Sequence, residues 1–180
     1  ATVYGQYQTA FDYFNKIEDM MQDLGIMSGV KPDAVQQFKT NINKPDSLYK
    51  IILRSYRDAH IYFKLNERED IGLLIMTGGF IEGLYIASHS VKNFYSKENK
   101  NIIVQQQVFL NNLIELLKRF VKDKDIMDIV KKMDDLKVSY KGLETDFDVK
   151  RNKITEVAVS DAKLNEIRKK ISTLRNAIIQ

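Results

Sequence analysis

Apolar residues fall at Tyr4, Tyr7, Phe11, Phe14, Ile17, Met21 and Leu24, and steps of three and four place them along one stripe of a helix. Gly25 stands where such a helix ends, and Ile26 is the apolar residue that packs back under it. Residues 26 to 33 read as a loop, and 33 to 42 as a short helix carrying Val35 and Phe38. In Asn43-Lys44-Pro45-Asp46-Ser47, Pro45 disfavours helix at Lys44 and fits the first turn of the next helix. That third helix is predicted from about 46 to 65, with Leu48, Ile51, Ile52, Ser55, Ala59 and Tyr62 on its buried side.

Asn66 or Glu67 opens a fourth helix, predicted over about 67 to 95, with Glu67, Glu69 and Asp70 in the first turn, where the helix dipole favours acids. Asn99 is the expected cap of a fifth helix reaching Val121, with Ile103, Leu110, Leu113, Leu117 and Phe120 along it. Residues 123 to 125 turn the chain into a sixth, carrying Ile126, Ile129, Val130, Met133, Leu136 and Tyr140. Residues 142 to 159 show no clear period and read as an irregular connection, within which 154 to 159 has the composition of a short strand. Ser160 fits an N-cap, and Leu164, Ile167, Ile171, Leu174 and Ile178 make a last amphipathic helix.

The fourth segment stands apart, because Glu82 is its only charge among the eighteen residues 71 to 88. A helix apolar all round reads as a buried core helix. The rival is a membrane span, which an acid near the bilayer centre opposes by about 2.5 to 3.5 kcal/mol. Its glycines at 72, 78, 79 and 83 each cost about 1 kcal/mol relative to Ala in a helix interior. Gly72, Gly79, Gly83, Ala87 and Ser90 fall on one side, so the expectation is a small-residue groove against which the first or last helix packs closely. Enclosed there, Glu82 needs donors, and Arg54, His60 and Arg175 on other helices are the candidate partners, with Tyr85 beside it.

Composition narrows the classes. The 180 residues suit one domain, with 44% hydrophobic and 29% charged residues, two prolines and no cysteine. Disulfides and thiolate metal sites are thereby excluded. The net charge of +4 is spread along helical faces, with Lys131, Lys132, Lys169 and Lys170 alternating with Asp134, Asp135 and Glu166; that reads as a solvated surface, not a nucleic-acid stripe. The usual signatures of nucleophile elbow, phosphate-binding loop, dinucleotide fingerprint and zinc-protease helix are all missing. With two histidines, neither preceded at three residues by an acid, no metal or cofactor is expected. Residue 1 is Ala, with no initiator Met, so a processed chain with an upstream segment is expected.

Three stretches carry a resemblance: Asp23-Leu24-Gly25-Ile26, Asn43-Lys44-Pro45-Asp46-Ser47-Leu48, and Thr77-Gly78-Gly79-Phe80-Ile81-Glu82-Gly83-Leu84-Tyr85-Ile86-Ala87. Together they resemble a family of exported or lipid-anchored helical proteins of Gram-negative bacteria without assigned activity, in which Trp takes the place of Phe80. The resemblance covers roughly residues 1 to 90. It implies a signal region, and possible lipid attachment, upstream of Ala1, and it supplies no catalytic or binding residues.

The resulting expectation is an all-α, single-domain antiparallel bundle of six or seven helices around a buried, glycine-rich central helix. Its expected role is that of a non-catalytic, exported envelope module, in the periplasm or anchored at the outer membrane, which binds another envelope protein and spans no membrane. The alternative is a small-molecule binder with a pocket near Glu82 and Tyr85. An enzyme using Glu82 and His60 as acid and base is a third reading. Arg54 and Arg175 complete the candidate buried polar site.

Overall fold

A computed structural model describes residues 1, 5–89, 94–120, 122–148 and 153–179. The chain is all-α, with seven α-helices in bundle-like packing and one short hairpin among the described residues. It divides into two compact units, Ala1–Gly72 and Leu73–Gln180.

The first unit holds α1 (Tyr7–Asp23), a single 3-10 turn (Met27–Gly29), α2 (Pro32–Asn41) and α3 (Pro45–Leu65). Gly25 ends α1 at φ +65°, a conformation that suits glycine. Its N–H donates to the Gln22 carbonyl and that of Ile26 to the Met21 carbonyl, and Ile26 is buried beneath the turn. Proline opens both α2 and α3, where its missing N–H costs nothing. The core here is thin. Ala10, Ile26, Ala34, Leu48 and Phe63 are buried, whereas Tyr7, Ile17 and Leu24 of the predicted α1 stripe are exposed and Phe11 and Phe14 half-buried. Phe14 gains its cover from Phe38, stacked at 4.0 Å between ring centroids. Ile52, expected inside, is exposed, and Phe63 is buried in its stead. Tyr4 lies outside the described residues.

The second unit contains most of α4 (Glu69–His89), then α5 (Lys97–Phe120), α6 (Lys124–Ser139), the hairpin β1 (Glu144–Asp148) and β2 (Lys153–Ala158), and α7 (Asp161–Asn176). Helix α4 is shorter than expected: it starts at Glu69 because Glu67 adopts a left-handed φ of 54°, and residues 90 to 93 are outside the described set. The cap of α5 is Ser96, whose hydroxyl accepts from the Asn99 N–H, so Asn99 is not the cap. Asp123 caps α6 through the Ile126 N–H, and Ser160 caps α7 through the Lys163 N–H. The stretch read as irregular holds two antiparallel strands, the second of them close to the 154 to 159 expected from composition, with Glu144 opposite Ala158 and a bulge between Asp146 and Phe147. That interruption of register removes the strict alternation by which a strand is recognised.

Core packing is dense in this unit. Ile103, Val104, Leu110, Leu113, Ile114 and Leu117 of α5 meet Val130, Met133, Leu136 and Tyr140 from the α6 segment and Leu164, Ile167, Ile171 and Leu174 of α7. Tyr140 is fully buried and its hydroxyl donates to the Ile103 carbonyl at 3.3 Å. Burial pushes its phenol well above the usual tyrosine range. Pairing of Tyr140 with Ile103 and of Lys118 with Asp134 fixes α5 and α6 as antiparallel neighbours. Lys170 donates to the Asp135 carbonyl and ties α7 to α6.

Candidate functional site

Helix α4 has three different sides within one apolar sequence. Leu73, Thr77, Ile81, Leu84 and Ser88, at steps of four, four, three and four, are its buried residues. The two hydroxyls survive there by bonding their own helix: Thr77 Oγ1 donates to the Leu73 carbonyl at 2.7 Å and Ser88 Oγ to the Tyr85 carbonyl at 3.0 Å. Phe80, on a flank, meets Phe109 of α5 with centroids 4.9 Å apart.

A second side faces α7. Arg175 Nε donates to Glu82 Oε2 at 2.6 Å and its Nη2 to Oε1 at 3.3 Å, a two-point contact that suits the planar guanidinium. The same guanidinium lies 4.2 Å from the centroid of Tyr85, whose ring stacks on His89 at 4.1 Å. His89 Nδ1 lies 2.8 Å from Ser88 Oγ and 3.0 Å from the Tyr85 carbonyl. Its Nε2 is 2.9 Å from Ser172 Oγ on α7. Glu82, Tyr85 and His89 thus form a polar edge at helical spacing, and the matching residues Ser172 and Arg175 lie one turn apart on α7.

This edge departs from the expected enclosed acid. The Glu82 side chain is 45% exposed and that of Arg175 25%, so water reaches the pair and its net worth is at most about 1 kcal/mol. With both carboxylate oxygens engaged by a guanidinium, Glu82 is no free base, and the guanidinium takes the space over Tyr85 that a ligand would need. Arg54 and His60 are exposed on α3 of the first unit, and the cation that pairs with Glu82 is Arg175. His89, Ser88 and Ser172 were missing from the sequence-derived site. The spacing of 82, 85 and 89 was the available signal, and nothing in the sequence marks Ser172. Among the described residues, no three His, Asp or Glu side chains come together as cation ligands.

The third side overturns the predicted groove. Ile75, Gly79, Gly83 and Ile86, at steps of four, four and three, are all exposed, and the two isoleucines are each 47% exposed. A Cβ added at Gly78, Gly79 or Gly83 would meet no atom of its own unit within 4 Å. Neither α7 nor any other described helix of this unit packs into the glycine side; α7 approaches along the polar edge instead. Gly72 belongs to the first unit and lies against Phe63, and Ser90 is outside the described residues. Helix α4 is therefore a half-buried helix, not an enclosed one. It is long and apolar enough to cross a membrane, yet only 28% of its most apolar window is buried.

On α5, Ile102, Phe109, Leu116 and Phe120 are exposed along one stripe, and Phe109 joins it to α4 through Phe80. Residues 101 to 114 contain no charged side chain. Two adjoining helices thus present a nearly charge-free apolar face in a chain in which 29% of residues are charged. Set against protein-family models, curated proteins and solved structures, the chain matches none.

Proposed function

We propose that the chain is a non-catalytic binding or structural module of the cell envelope, and that the open side of α4, continued by the α5 stripe, is its contact surface. The carrying observation is the joint exposure of Ile75, Gly79, Gly83 and Ile86 on a helix with one charge in eighteen residues. Removing apolar surface from water gains roughly 25 cal/mol per Å². A face left wet after the chain has folded is where association recovers that free energy. The engaged state of Glu82 supports binding over acid-base chemistry. It also weighs against the small-molecule pocket near Glu82 and Tyr85. Placement in the envelope, with a lipid anchor upstream, rests on the resemblance of residues 77 to 87 to exported helical proteins.

Carbene footprinting of the full-length protein tests this, in living cells and after purification at high dilution. Residues 75 to 86 and 102 to 116 are expected to label several-fold less in cells, with the protein recovered in the envelope fraction. Equal labelling in both settings, or recovery with the cytosol, overturns the reading.

A further inference from the structure

We infer that the open face of α4 is occupied by the same face of a second copy of this chain, laid antiparallel across a two-fold axis between Gly79 and Gly83. The inference rests on the contact-surface reading above and names its partner. A two-fold interface must be self-complementary, since each patch meets itself reversed. The exposed stripe reads large, small, small, large: Ile75 and Ile86 stand almost equally far from the midpoint of Gly79 and Gly83. Reversal therefore places each isoleucine beside the other isoleucine of the second copy, with glycine opposite glycine, where two helix backbones can approach closely. Neither isoleucine has to enter space already filled, because the glycine side is vacant within its own unit.

Charge points the same way. Two copies of a chain at +4 repel, so they meet most easily on a face without net charge. The only charge in residues 71 to 88, Glu82, is neutralised by Arg175 of its own chain, and residues 101 to 114 of α5 add none. Antiparallel helices also set the positive end of each macrodipole beside the negative end of the other. A lipid surface fits less well: exposed Asn112, one turn from Phe109 on α5, carries an amide for which hydrocarbon offers no hydrogen-bond partner and a protein copy does. The stripe from Ile75 to Ile86 is about 17 Å long at 1.5 Å per residue. With α5 alongside, the contact covers on the order of 400 Å² per copy, below the ~800 Å² of a standard interface. The dimer is thus weak and reversible, and separates on dilution.

The chain has no cysteine, so introduced thiols report directly. Ile75→Cys and Ile86→Cys proteins, mixed and mildly oxidised at high concentration, should give a disulfide-linked dimer, while each alone stays at background. In sedimentation velocity, the wild-type weight-average mass should climb from 20.9 kDa toward twice that value as concentration rises. Gly83→Leu and Ile86→Glu should stay monomeric at every concentration with unchanged helix content. Single-cysteine proteins that cross-link as readily as the mixture overturn the antiparallel arrangement. A wild-type chain that stays monomeric overturns the dimer; if in-cell protection persists in that case, the contact-surface reading stands and only the identity of the partner falls.

Discussion

Helices α4 and α7 lie antiparallel in one unit, contribute comparable stripes to one core, and could hardly be less alike in sequence. On α7, Leu164, Ile167, Ile171 and Leu174 are buried and the remaining positions are mostly charged or polar, so the buried side is marked by contrast. On α4, the buried stripe from Leu73 to Ser88 is backed by isoleucine and glycine, and no contrast exists. The lesson is that apolarity beyond what the core consumes belongs to a different task. Helix α7 is apolar only where it packs; α4 is apolar where it packs and where it does not.

The largest expected effect tests the half the two helices share. Leu84→Ala and Leu174→Ala should each cost about 2 to 5 kcal/mol in urea denaturation, since both side chains are buried in the common core. If Leu84→Ala costs under about 1 kcal/mol, α4 is not a core element and the comparison fails.

Tyr140 sharpens the picture of that core through pH. Its folded-state phenol titrates above the unfolded value near 10, so burial favours the neutral form. The unfolded chain loses this proton first, and stability that is fully present below about pH 10 is lost as pH rises beyond it. Tyr140→Phe should cost about 1 kcal/mol at neutral pH for the bond to the Ile103 carbonyl. The gap to wild type should then narrow above pH 10 in alkaline denaturation curves; a gap that stays constant contradicts burial of the phenol.

On the open half the sign reverses. Gly79→Ala and Gly83→Ala should each raise the stability of the dilute protein by up to about 1 kcal/mol, because alanine suits a helix interior and its methyl meets nothing within the unit. A tightly filled groove would instead make both changes destabilising by overpacking. Smallest of all is Arg175→Ala, expected to cost under about 1 kcal/mol and to cost less at high salt, as befits a part-exposed pair with an aromatic contact. A salt-independent loss of several kcal/mol would mean that the polar edge is buried.

Local signals were legible wherever a residue type has one structural use. Gly25 with Ile26, Pro45, Ser160 and the α7 stripe from Leu164 to Leu174 stand where the sequence puts them, whereas Ile178 falls past the end of α7 and is exposed. Ser96 displaced Asn99 as a cap because both residue types cap well and only the turn geometry chooses. The α1 stripe lost most of its expected burial because a unit of 72 residues with three helices has little interior to offer. Arg175 was one of three partners available to Glu82; spacing within a helix carries no information about which helix lies opposite. The groove failed for a related reason: glycine spacing reports room for a neighbour, not the presence of one.

Thiol accessibility along α4 tests most directly whether the helix is divided into a core side and an open side. In the cysteine-free chain, at high dilution, single cysteines at 75, 79, 83 and 86 should react with a maleimide nearly as fast as in the denatured protein. Cysteines at 77, 81 and 84 should react orders of magnitude more slowly. Uniform protection around the helix would restore the enclosed central helix, and uniform reactivity would remove α4 from the core; either result contradicts the division.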